Sequence, residues 1–141
     1  MPGERAEFYT KCSAGIYNRS KKVWVMAAAH ILQVAYYQSL MEARRMMLEN
    51  LGYDVTCAFG NDQAKVLVSS KTFDVIVVGF SAKYSLRSQM VCWLKQFAPR
   101  TPVVVLLANE DERFPEADCA TLSEDPAAWL TTVAGCLRPV D

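Results

Sequence analysis

The chain has 141 residues, is 52% hydrophobic and 21% charged, and carries no formal net charge. That length suits one domain with a real core, and that balance excludes an intrinsically disordered chain. Zero net charge gives no global field directed at nucleic acid or a membrane surface.

The charge is uneven along the chain. Residues 1–29 hold Arg5, Lys11, Arg19, Lys21 and Lys22 against Glu4 and Glu7, a net of +3, which leaves the remainder at −3. This reads as a mildly basic, solvated arm on a mildly acidic body. Residues 1 to about 21 show no period, so residues 1–29 form an N-terminal extension, expected to be disordered or a start-site artefact. Met26 stands just before the organised region and is a candidate true start. The stretch "KKVWVMAAAHILQVA", residues 21–35, has the outline of a signal peptide. It fits poorly, because His30 and Gln33 interrupt its apolar core and a long acid-bearing segment precedes it. It is also too short to span a bilayer as a helix.

From His30 the chain becomes regular. "HILQVA" is a short strand. "SLMEARRMMLENLG" is a helix, with Ser39 and Glu42 in capping-box spacing at its start. Leu40, Met47 and Leu51, with Ala43 between them, mark its inner face, and Arg44, Arg45 and Glu49 fall off that face. Gly52 supplies a left-handed stop. "YDVTCAF" is a second strand, and Asn61 or Asp62 caps a short helix whose inner face is Ala64, Leu67 and Val68. "FDVIVV" is a third strand, solidly apolar as a buried parallel strand should be, and it ends on Gly79. "SLRSQMVCWLKQFA" is a helix with Leu86, Met90, Trp93, Leu94 and Phe97 at 3–4 spacing, ended by Pro99. "PVVVLLA" is a fourth buried strand. "NEDERFPEAD" is an acidic, solvated loop with room for one helical turn, and "CATLS" is a weak fifth strand. "DPAAWLTTVAGCL" closes the chain as a helix, with Asp125 as cap, Pro126 at its first position and Trp129, Leu130, Val133 and Leu137 as its stripe.

Strands that alternate with helices imply a parallel sheet with right-handed crossovers. The expected fold is an α/β, flavodoxin-like, doubly wound sheet of five strands in the order 2-1-3-4-5, with a shortened fourth helix, spanning residues 30–141. In such folds chemistry sits just past the carboxyl ends of the strands, which is where Gly79 falls.

The side chains point to no independent enzyme. Phosphate-loop, dinucleotide and nucleophile-elbow motifs are absent. The five cysteines, Cys12, Cys57, Cys92, Cys119 and Cys136, are odd in number, and no two are at C-x-x-C spacing. That argues against a zinc site or a disulfide framework, and reads as reduced thiols in a cytoplasm. His30, the one histidine, has no ligand pattern around it and reads as structural.

Several stretches resemble the receiver domain of response regulators, the CheY-like family. "HILQVAYYQSLMEARRMMLENLGYDV" is similar to that family's first strand and helix, with its leucine-glycine-tyrosine turn. "FDVIVVGFSAK" is similar to the third strand, which in the family ends on the phosphorylated aspartate. "RTPVVVLLA" resembles the fourth strand, and "LSEDPAAWL" loosely resembles the approach to the last helix. The likeness covers about residues 30–138. Carried over residue by residue, the metal-binding acidic pair falls on Ala35 and Tyr36, and the phosphoacceptor falls on Gly79. The Thr/Ser position falls on Leu107, and the lysine on Leu122 or Ser123. Tyr37 and Lys83 are candidates to line the vacated site.

Glycine offers no carboxylate nucleophile, and alanine no hard oxygen ligand for Mg²⁺. The resemblance therefore implies a degenerate pseudo-receiver of a two-component phosphorelay: bacterial, cytoplasmic, without cofactor or metal, and acting through a protein partner. A homodimer stays open, a membrane partner is not expected, and nucleic acid is disfavoured. The alternative is a small-molecule-binding module that uses the crevice over Gly79.

Overall fold

The structure, a computed structural model, describes residues 15–18, 23–26 and 28–137. The basic-arm residues Arg5, Lys11, Arg19, Lys21 and Lys22, together with Cys12, lie outside the described residues.

Two short strands precede the body. β1 (Gly15–Asn18) pairs antiparallel with β2 (Val23–Met26), Gly15 opposite Met26 and Asn18 opposite Val23. The body then follows as β3 (His30–Ala35), α1 (Gln38–Asn50), β4 (Asp54–Phe59), α2 (Asn61–Ser70), β5 (Val75–Val78), α3 (Tyr84–Phe97), β6 (Val103–Leu107), β7 (Cys119–Leu122) and α4 (Pro126–Cys136). Its five strands form one parallel sheet in the order β4-β3-β5-β6-β7, which is the expected 2-1-3-4-5.

The sheet is buried on both faces. Leu32, Val34, Ile76, Val78, Val103 and Val105 point into one core with α2 and α3, where Ala64, Val68, Met90, Val91 and Leu94 meet them. Ile31, Val75, Val77, Val104 and Leu106 point into a second core, closed by Leu48 of α1 and Trp129 and Val133 of α4. A β-strand sends alternate side chains to opposite faces, so each apolar run serves both cores at once. Gln33 is the polar exception in β3. It is 1% exposed, and its Nε2 donates to the Met41 carbonyl of α1 at 3.0 Å and approaches Cys57 Sγ at 3.3 Å. His30, at the start of β3, is held by its neighbours. Its Nε2 lies 2.9 Å from Thr56 Oγ1, and its ring meets Phe73 edge-on at 4.8 Å.

Helix ends depart from expectation in two places. α1 starts one residue before Ser39, with Tyr37 as its cap residue and no side-chain cap. The Ser39–Glu42 capping box does not form, and Glu42 instead accepts from Gln38 Nε2 at 3.2 Å. The cap of α2 is Gly60, at φ 90°, rather than Asn61 or Asp62. Asn61 is already in the helix, and its side chain is engaged elsewhere. Two other ends match the sequence reading. Gly52, at φ 93°, donates to Glu49 O while Tyr53 N reaches Leu48 O, a Schellman closure. Asp125 accepts from Ala128 N at 3.1 Å, with Pro126 in the first turn.

The inner faces of α1 and α3 are also revised. Arg44 and Leu48, not Met47 and Leu51, are the buried residues of α1, and Leu51 is exposed. In α3 the buried set is Arg87, Met90, Val91 and Leu94, while Leu86 and Phe97 face outward. Both helices bury an arginine within the stripe, where a reading by residue type places only apolar groups. The connection between β6 and β7 holds turns alone, so the shortened fourth helix is reduced to a loop. Phe114 of that loop is buried and fills the gap against α3.

Candidate functional site at the carboxyl ends of the strands

The sheet gathers the candidate positions at one edge. Ala35 ends β3, Gly79 follows β5, Leu107 ends β6, Leu122 ends β7 and Ser123 comes next. Val34 pairs with Val78, and Leu107 with Leu122, so the register sets these ends side by side. Gly79 N donates to Val34 O at 2.8 Å, and Ser123 N to Leu107 O at 3.0 Å, each extending its ladder by one bond.

Gly79 is buried, and its missing side chain has a definite neighbour. A Cβ there would lie 2.8 Å from Arg44 Nη1 and 3.2 Å from Val34 O. The Arg44 guanidinium thus occupies the space in front of residue 79. Arg44 is 5% exposed, and its Cζ sits 5.4 Å from the centre of the Phe80 ring. Burial lowers its pKa, yet a guanidinium so basic stays charged.

Tyr36 is half-buried against the α2/α3 core. Its hydroxyl donates to Asn61 Oδ1 at 2.7 Å, and Asn61 Nδ2 donates to the Leu86 carbonyl at 3.0 Å. Burial pushes the phenol pKa up, with Arg87 as a smaller opposing influence, so this hydroxyl stays protonated and works as a donor. The relay ties the end of β3 to the starts of α2 and α3. Tyr37 is 57% exposed and Lys83 is exposed. Neither lines the two cavities described at this edge.

A second buried arginine fixes the loop after β6. Arg87, 2% exposed, donates from Nη1 to Glu112 Oε1 at 3.0 Å and from Nη2 to Glu112 Oε2 at 2.5 Å. Its Nε donates to Ala82 O at 3.0 Å, and its guanidinium stacks over Phe114 at 5.2 Å. Glu112 also accepts from Ala108 N at 2.9 Å. Hydrogen bonds from Arg87 hold the Glu112 carboxyl below its usual pKa range. Tyr84 closes the same loop from α3, its hydroxyl donating to Arg113 O. Parallel double bonds of this kind fix orientation as well as charge.

A cavity of about 290 Å³ opens at this edge between α1 and α4, lined among others by Arg44, Met47, Phe80, Ser123, Glu124 and Trp129. A second, of about 300 Å³, lies beneath the β6–β7 loop beside Leu107 and Phe114. Among the described residues no three His, Cys, Asp or Glu side chains converge as a metal site, and no helix is long and apolar enough to cross a membrane.

No family model matches the chain, and no curated protein matches it in sequence. Solved structures do. A CheY-like receiver domain from Methanospirillum hungatei superposes with a TM-score of 0.71 at 14% identity, covering 79% of this chain and 94% of its own. The response regulator TrrA of Thermotoga maritima, solved with Mg²⁺ and BeF, gives 0.69 at 16% identity over 78% of this chain and 99% of its own. CheY4 of Vibrio cholerae gives 0.68 at 20% identity, over 78% and 99%. The chain has the receiver fold. Within that fold Ala35, Gly79, Leu107, Leu122 and Ser123 lie at or just past neighbouring strand ends.

The sequence reading missed Arg44, Asn61 and the Arg87–Glu112 pair. For Arg44 a signal existed. Leu40, Arg44 and Leu48 are spaced by four, which puts the arginine between two inward residues.

Proposed function

We propose that this chain is a degenerate receiver of a two-component signalling system, a cytoplasmic protein that acts by binding a protein partner and not by accepting a phosphoryl group. One observation carries the reading. Residue 79 brings no carboxylate, and a guanidinium sits in front of it, 2.8 Å from where a Cβ would be. An acyl phosphate needs a carboxylate nucleophile at that place. Ala35 and Tyr36 offer no carboxylate for Mg²⁺ either. A cation already held in the pocket disfavours a divalent metal by repulsion.

The Arg87–Glu112 clamp supports the same reading. It pins the loop after β6 to α3, so the molecule presents one fixed surface to its partner. The chain is not an enzyme in this account. Its output is shape.

The test is incubation with acetyl phosphate and Mg²⁺, followed by intact mass measurement. The expected result is an unmodified chain. A phosphoryl adduct would overturn the reading.

A further inference from the structure

We propose that the cavity between α1 and α4 is a receptor for a small organic carboxylate with a compact apolar body, and that Arg44 is the group that holds the carboxylate. This goes beyond the signalling reading and does not rest on it.

A buried charge is normally paired, because leaving water without a partner is costly. The other buried arginine of this protein obeys the rule through Glu112. Arg44 does not. At 5% exposure its side chain has no hydrogen bond and no ion pair with any described residue, and its guanidinium lies over the Phe80 ring and in front of Gly79. Its donors border a cavity of about 290 Å³. Gly79 makes this placement possible, since any larger residue would bring a Cβ to 2.8 Å from Nη1.

The lining then selects the ligand. Met47, Phe80 and Trp129 form apolar walls, which suit a hydrocarbon body rather than a bare ion. The volume stands near the lower end of small-molecule sites, about 300 to 1,000 Å³. That admits an anion the size of phenylacetate or isovalerate. A guanidinium meets a carboxylate with two parallel bonds in one plane. Ser123 also lines the cavity, and its hydroxyl has no partner among the described residues, so it can serve a second polar group. Glu124 is exposed at the same cavity and forms no ion pair with Arg44. Its charge opposes an anion in the cavity, so the contact with the guanidinium has to outweigh that repulsion.

The experiment is calorimetric titration of the full chain with phenylacetate, isovalerate, phenylacetamide and inorganic phosphate as separate probes. Saturable binding of the two carboxylates is expected, with none of the neutral amide. Arg44→Gln should weaken carboxylate binding roughly tenfold or more, as expected for a lost charged hydrogen bond. Arg44→Lys should keep part of it. Thermal melts of each variant establish that it is folded. Failure of both carboxylates at millimolar concentration overturns the proposal. So does amide binding equal to phenylacetate, unchanged affinity in folded Arg44→Gln, or phosphate binding in preference to both acids. A phosphoryl adduct in the acetyl phosphate experiment would overturn the signalling reading and leave this result standing on its own.

Discussion

Replacing Glu112 by alanine isolates a doubly hydrogen-bonded, largely buried ion pair. Arg87 is 2% exposed and Glu112 15%. Removing the carboxylate strands a buried cation that still bonds only Ala82 O and the Phe114 ring. Breaking a buried pair from one side costs about 3–5 kcal/mol, and the slight exposure of Glu112 favours about 3. For a domain of this size that lowers Tm by roughly 10 °C. Arg87→Met combined with Glu112→Leu should behave differently, because no charge is left behind. The double variant is expected within about 1 kcal/mol of the parent. The pH dependence gives a separate check. Glu112 has its folded pKa depressed below 4.5, chiefly by the Arg87 hydrogen bonds. Its contribution is therefore complete above the unfolded carboxyl pKa and is lost as pH falls through the lower folded value. Urea unfolding of parent and Glu112→Ala at pH 7 and again near pH 3 reads both effects, and the gap between the two proteins should narrow in acid. A loss below about 1 kcal/mol at pH 7, or a double variant as weak as the single one, would refute the argument.

Two further outcomes follow from the closing helix. Asp125→Ala removes the side-chain acceptor for Ala128 N and should cost about 0.5–2 kcal/mol in urea unfolding. Asp125→Asn should recover most of that loss, and equal loss in both variants would count against a capping role. Cys136 has its thiol pushed up to about 11, by burial first and by Cys119 second, whose Sγ lies 3.7 Å away. Its alkylation by iodoacetamide should be slow at neutral pH and rise about tenfold per pH unit toward that value. A rate that levels off below pH 9 would contradict this environment.

The fold was legible because parallel sheets write themselves plainly. "VIVV" and "VVVLL" are continuous apolar runs, and glycine and proline punctuate the helices around them. The strand order and the positions of Gly79 and Leu107 followed from that register. The site's occupant was not legible. Arg44 is assigned to solvent by residue type, and nothing local to α1 shows that the glycine 35 residues later leaves room for its guanidinium. Arg87 is the same case, since its partner Glu112 sits in a loop that reads as solvated acid. The Ser39–Glu42 spacing promised a cap, but the helix had already begun at Gln38. The β1–β2 hairpin escaped notice because four-residue strands are too short to establish a period.

Gln33 carries a consequence of another kind. An amide in the central core is a poor choice for stability, and its Oε1 has no partner among the described residues. Its Nε2, however, bonds one main-chain carbonyl of α1, that of Met41, at 3.0 Å. Apolar side chains tolerate a helix sliding or turning over a sheet, whereas a single directed bond admits one position. Gln33→Leu is therefore expected to raise stability while loosening the position of α1, the exchange documented for some polar core groups. The bond falls on Met41, three residues before Arg44, so it acts on the turn of α1 from which that arginine leaves the helix.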